Sequence, residues 1–223
     1  MTTTTEELFM KFCKINNIDQ KTAIEFLKEE GLKERDAEQL VSPQINKTSS
    51  MEISVFTDGA CTSNGRKNPC GGIGVFYGDS DSRNVSEELM STLKKIFKNS
   101  AVNFGKPTNN KAELTAILQA LIDRVDDLED KKKLKIYSDS RYSIDCLTKW
   151  YKAWEKNNWK NSKGSPVLNK EIIQGCLEII KRFDSQISFI HVRSHQMRPP
   201  NSSPKYPECY GNHMADILAT QNC

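Results

Sequence analysis

A change of hydrophobic period at residue 52 constrains this chain more than any other feature. Residues 52–57 (EISVFT) alternate and are rich in β-branched side chains, which predicts a strand. The DGACTSNG stretch reads as a turn, and residues 72–77 (GIGVFY) as a second strand. A third short strand is predicted near 83–87, after the polar GDSDSR tract. Residues 113–128 then put Leu114, Ile117, Leu118, Leu121, Ile122 and Val125 on one helical face. A strand at 134–137, a helix at 140–147, a helix at 169–183, a strand at 187–192 and a helix at 212–221 complete the pattern. In the helix over 169–183, Ile172, Ile173, Cys176, Ile179 and Ile180 are predicted to face inward. A meander of strands followed by alternating helices and strands implies an α/β fold, a five-stranded mixed sheet with helices on both faces.

The preceding segment has a different character. Leu8, Phe9, Phe12, Ile15 and Ile18 recur at helical spacing, Asp19 is a candidate cap for a second helix, and Ala37, Leu40 and Val41 suggest a third. Residues 1–42 are thus predicted as a small all-α module, 43–51 as a linker, and 52–223 as the main domain. In its helix spacing and in IDQKTAIEFLKEEGL, the module loosely resembles ubiquitin-associated-like three-helix domains. A protein-docking role and a solubilising role stand equally for it.

Charge location says more than net charge. The chain carries 32 basic and 29 acidic residues, a net of +3. The first fifty residues hold −2 of this and the remainder +5, so a nucleic-acid role is sought only in the main domain. There is no apolar run long enough to span a membrane and no basic-then-apolar leader, so an intracellular protein is expected. Nuclear, cytoplasmic and viral settings fit equally. Seven cysteines show no framework and are expected to be mostly reduced. Cys61 and Cys70 could bridge, or join Cys209 and His213 around zinc, but no CxxC pair supports that.

Four acids sit where this topology would gather them. Asp58 closes the first strand, Glu113 stands in the first turn of the long helix, Asp139 follows the fourth strand and Asp216 lies in the last helix. Each alone has an ordinary explanation, as turn residue, dipole partner, helix cap or surface acid. Together in one pocket they would repel unless cations neutralised them. Oxygen ligands at that density suit Mg²⁺, with Mn²⁺ as a substitute, and phosphoryl transfer by two ions roughly 3.5–4 Å apart.

These residues occur in FTDGAC, TNNKAEL, YSDSRYSI, KWYKAWEKNNWK, VRSH and GNHMADILA. In that order and at those distances, residues 52 to about 221 resemble ribonuclease H of type 1. The resemblance implies a ribonuclease H-like fold and an endonuclease cutting the RNA strand of RNA–DNA hybrids, leaving 5′-phosphate and 3′-hydroxyl ends. It implies that Asp58, Glu113, Asp139 and Asp216 hold two Mg²⁺ ions. Asp58 would be shared by both ions, and Glu113 would sense the 2′-hydroxyl that only RNA supplies. His195 falls on the family's mobile histidine, a proton shuttle or product-release residue. His191 is expected to be structural, and His213 has no assigned role.

Residues 149–163 carry five lysines, one glutamate and all three tryptophans. Such a basic, aromatic segment suits phosphate attraction and stacking, and the resemblance makes it the family's basic protrusion. Trp150 and Trp154 are expected to be partly buried, with Trp159, Lys152, Lys156 and Lys160 turned to the nucleic acid. Asn64, Thr108, Asn109, Asn110 and Arg141 match hybrid-contacting positions, and Asn212, four before Asp216, would orient that site. Thr108 and Asn109 are also candidate helix caps. Two stretches look long for the family: 90–106, a lysine-bearing insertion, and the proline-rich loop between His195 and Asp216. The expected partners are an RNA–DNA hybrid and a protein for the N-terminal module, with the chain monomeric and away from membranes.

Overall fold

The computed structural model describes residues 52–63, 68–194, 203 and 205–223. The N-terminal module, the linker, Asn64 and His195 lie outside the described residues. Five strands form one mixed sheet in the order β3-β2-β1-β4-β5. They are β1 (Glu52–Thr62), β2 (Cys70–Phe76), β3 (Val85–Glu88), β4 (Lys133–Ser138) and β5 (Ile187–His191). The first three form an antiparallel meander, and β1–β4 and β4–β5 are parallel. The α/β architecture expected from the sequence is therefore present. The last parallel pair of β1 and β4 is Thr57 with Ser138. Beyond it, Asp58–Thr62 pairs with β2 alone. A notch opens there, flanked by Asp58 and Asp139, at the carboxyl ends of two parallel strands where open α/β sheets bind ligands.

Strand alternation sorts the two faces. Val55, Ile73, Val75, Leu134 and Ile136 pack with α2 (Asn109–Ile122) and α6 (Lys170–Arg182) in the larger core. Phe56, Phe76, Tyr137 and Val192 pack with Ala215 of α7 (Tyr206–Thr220) on the opposite face. There the Phe56 and Tyr137 rings stack at 4.6 Å.

Several predicted boundaries move, each for a physical reason. The long helix ends at Ile122, and a short α3 (Val125–Glu129) follows it. Between them Arg124, 2% exposed, lies 4.0 Å over the Tyr77 ring and pairs with Asp127 at 3.0 Å. Seating that guanidinium takes the chain out of helical geometry, and Ile122, predicted inward, is 39% exposed. The stretch 90–106 is not simply an exposed insertion. It includes most of α1 (Leu89–Ile96), which is capped by the Glu88 carboxylate and buries Leu89 and Leu93. Its lysines, Lys94, Lys95, Lys98 and Lys106, are exposed. The last helix begins at Tyr206, six residues before the predicted start. Pro207 sits in its first turn, where proline's missing N–H has no intrahelical partner to lose.

The protrusion also departs from expectation. α4 (Arg141–Asp145) and α5 (Tyr151–Lys156) are joined by a π-helical turn, Cys146–Trp150. The wider turn shifts the helical register. Trp150 turns outward and is 41% exposed, while Trp154 and Trp159 pack against the core. Trp159 is therefore not the free ring that the sequence suggested. Among the described residues, no helix is long and apolar enough to cross a membrane.

Candidate active site

The cleft is built by three close backbone approaches. Asp58 follows Thr57 off the end of the β1–β4 pairing, and its Oδ1 accepts from the Gly59 amide at 2.8 Å. Glu113 is the fifth residue of α2, in its second turn rather than the first turn expected, because the helix already starts at Asn109. Gly59 lets that turn come against β1: a Cβ there would lie 2.1 Å from the Glu113 nitrogen. Thr108 caps the helix, its hydroxyl accepting from the Lys111 amide at 3.3 Å. On the other face, a Cβ at Gly72 or Gly74 would lie 2.1 Å from the carbonyl oxygen of Ala219 or Ala215. α7 thus rests directly on β2 and carries Asp216 to the notch. His191 Nε2 lies 3.1 Å from the Asp139 carbonyl oxygen, so the histidine of β5 braces the Asp139 turn in the structural role expected.

The result is a cleft of about 690 Å³. Asp58, Glu113 and Asp139 each offer a carboxylate oxygen within 4.8 Å of the others. Asp216 lines the same cleft, outside that tight group. Burial, then the Asp139 and Asp216 charges, push the Asp58 carboxyl up to about 7, against the pull of the Gly59 amide. Glu113 is raised well above the ordinary carboxyl range, first by burial and then by Asp58 and Asp139. Glu113 Oε2 is buried with no hydrogen-bond partner among the described residues. A crowded, desolvated oxygen set with an unpaired acceptor fits a divalent cation. Asp58, Glu113 and Asp139 could hold it, with Asp216 in reach of the same cleft. Cys61, Cys70 and Cys209 are free thiols and join no metal-ligand group among the described residues.

The other predicted residues divide. Asn109 and Asn212 line the cleft. Thr108 is the helix cap of α2, and Asn110 and Arg141 are exposed in the first turns of α2 and α4. Lys152, Lys156 and Lys160 are exposed along the protrusion with Trp150. The sequence reading missed Arg193, Ser194 and Ser140 in the cleft wall and gave His213, also there, no role. Arg193 and Ser194 stand inside the VRSH word itself, which was the available signal. It also missed Lys111, whose buried ammonium donates to the carbonyls of Phe104 and of Lys106, the latter at 2.5 Å.

The family model described as RNase H matches residues 50–223. The chain belongs to the RNase H family. Ribonuclease H of Schizosaccharomyces pombe is 35% identical over 165 residues, 74% of this chain and 50% of that protein. Human Ribonuclease H1 is 34% identical over 143 residues, 64% of this chain and 44% of that protein. The chain thus spans about half the length of these relatives, within which its RNase H domain aligns. A foamy viral protease–reverse transcriptase, solved in complex with RNA/DNA hybrid, shares the fold. It superposes with a TM-score of 0.56 at 18% identity, covering 78% of this chain and 20% of that one.

Proposed function

We propose that this RNase H domain is a divalent-metal-dependent endonuclease that cuts the RNA strand of RNA–DNA hybrids. The observation that carries the reading is the trio of carboxylates within 4.8 Å at the carboxyl ends of parallel strands. Two kinds of surface flank the chemistry expected there. One is the cleft wall of Asn109, Ser140 and Arg193, able to orient a phosphate backbone. The other is the exposed Lys152, Lys156, Lys160 and Trp150 ridge, suited to the second strand. The names of the curated relatives and the hybrid bound to the foamy viral enzyme support the same substrate.

When bound, a pair of Mg²⁺ ions would neutralise the four acids, activate water and stabilise the leaving oxygen. Asp58, Glu113, Asp139 and Asp216 would hold them. Glu113, one turn beyond Asn109 on α2, would meet the 2′-hydroxyl of the RNA strand. His195, three residues beyond the end of β5's pairing at Val192, would move a proton to the leaving group or assist release.

The test is cleavage of three substrates, a hybrid, a DNA duplex and an RNA duplex, with and without Mg²⁺. The hybrid alone should be cut, on its RNA strand, and only with the ion. Asp139→Asn should abolish cutting while leaving thermal unfolding nearly unchanged. Cutting of the DNA duplex with an intact hybrid would point instead to another nuclease on this fold.

A further inference from the structure

Three part-exposed free thiols, Cys61, Cys70 and Cys223, gather where the end of α7 meets the β1–β2 hairpin. The pleat sorts them. Cys61 stands opposite Gly71, and a Cβ at Gly71 would lie 2.8 Å from the Leu89 side chain, so that pair faces α1. Cys70 stands opposite Thr62, one register step on, and faces the other side of the sheet with Gly72. A Cys61–Cys70 bridge, weighed from the sequence, would therefore have to join opposite faces. Cys223 lies on the Cys70 side: a Cβ at Gly72 would lie 3.3 Å from its Sγ. The Cys223 thiol donates to the Ala60 carbonyl at 3.3 Å, and the Cys70 thiol donates at 3.4 Å to the Asn222 carbonyl, in the peptide joined to Cys223. The backbone there is tied down as well. Asn222 donates its side-chain amide to Ser86 Oγ at 2.7 Å, and Ser86 donates to the Leu218 carbonyl at 2.7 Å.

We propose that Cys70 and Cys223 form a thiol-exchange site, joined by a small-molecule disulfide such as oxidised glutathione into a bond that staples the end of α7 to β2. The Cys70 thiol already touches the peptide of Cys223, so side-chain rotation rather than backbone movement completes the approach. The Cys70 thiolate attacks one sulfur of oxidised glutathione, breaks its S–S bond, forms a mixed disulfide and releases one glutathione. Cys223, its proton lost to solvent, then attacks the Cys70 sulfur and releases the second. Two cysteine thiols are oxidised, one glutathione disulfide is reduced, and the two cysteine protons balance the two glutathione thiols formed. Burial pushes the Cys223 thiol up, against the pull of the Thr62 amide, which suits it to the second, resolving step. The bond closes a loop running from β2 to the end of α7, and long loops gain most from closure. It also fastens the helix that carries Asp216 where Gly72 and Gly74 seat it. Nothing in the step depends on the acids or on a metal.

The test incubates the full, folded chain with oxidised glutathione, blocks the remaining thiols by alkylation and maps the disulfides by mass spectrometry. The peptides holding Cys70 and Cys223 should be joined, in the wild type and in Cys61→Ser alike, and a reductant should release them. Oxidation should raise Tm by about 5–10 °C in those two proteins, and should not raise it in Cys70→Ser or Cys223→Ser. Glutathione adducts that never resolve into the Cys70–Cys223 link would overturn the proposal. So would a bond from Cys223 to Cys61 or Cys13 in its place, or a Cys70–Cys223 link with an unchanged Tm. Should neither serine variant fold, the wild-type disulfide map and its reversible Tm shift decide the matter alone.

Discussion

Gly59 and Glu113 share one contact surface, with no room between β1 and the second turn of α2 for a single added carbon. The carboxyl of Glu113 reaches Asp58 because the strand residue beside it has no side chain. Gly59→Ala should therefore push α2 off the sheet, since the obstructing atoms are backbone. Overpacking of this kind costs about 1–3 kcal/mol. Urea unfolding should show that loss, and hybrid cleavage should fall by more than the fraction unfolded.

The raised carboxyls predict how stability depends on pH. In metal-free protein the Asp58 carboxyl is pushed up to about 7, above its unfolded value near 4. The folded state then binds more protons than the unfolded one in that interval, and stability falls as pH rises through it. Saturating Mg²⁺ should remove the slope, because the ion replaces the protons. Calorimetric melting between pH 5 and 8, with and without Mg²⁺, checks this, and Mg²⁺ affinity should climb with pH and level off above about 7.

The protrusion separates binding from stability. Trp150 is exposed, so Trp150→Ala should raise KM for hybrid several-fold with an unchanged Tm. Trp159 packs on the core and sits at the left-handed φ of 58° in a turn whose amide donates to the Trp154 carbonyl at 2.7 Å. Trp159→Ala should lower stability by about 2 kcal/mol or more, part of the loss expected for a buried ring. Paired melting and steady-state kinetics distinguish the two.

Lys111 holds the approach to α2 from inside. Its ammonium bonds the carbonyls of Phe104 and Lys106, and burial lowers its pKa. Lys111→Met keeps much of the bulk but orphans both acceptors. A loss of about 1–3 kcal/mol is expected, together with a higher KM, because Asn109 and Asn110 follow directly from the loop it fixes. Denaturant titration and hybrid kinetics measure both.

The parts of this molecule written in a regular period were legible in its sequence. Alternation and short apolar runs announced five strands, and four of the six motif words marked the elements that carry the acids. What escaped were local departures from period and contacts between backbones. A π-helical turn, Cys146–Trp150, precedes the segment and shifts the register with which Trp150 meets the core, so the wrong ring was expected outside. Arg124 ends a helix by being buried, against the habit of its residue type. Gly59 reads as half of a turn signal, because its purpose lies in α2, more than fifty residues away. Asn212 was visible as a neighbour of Asp216, but its unpaired oxygen appears only once α7 is laid against the sheet.

The seating of α7 on the bare backbone of β2 has a consequence for the order of events at the ribosome. When β5 has emerged, the whole sheet and three of the four acids exist, yet the cleft lacks the helix that bears Asp216. A nascent chain can therefore settle its core long before the fourth acid arrives, and the final docking of one helix onto two glycines separates a folded scaffold from a completed cleft.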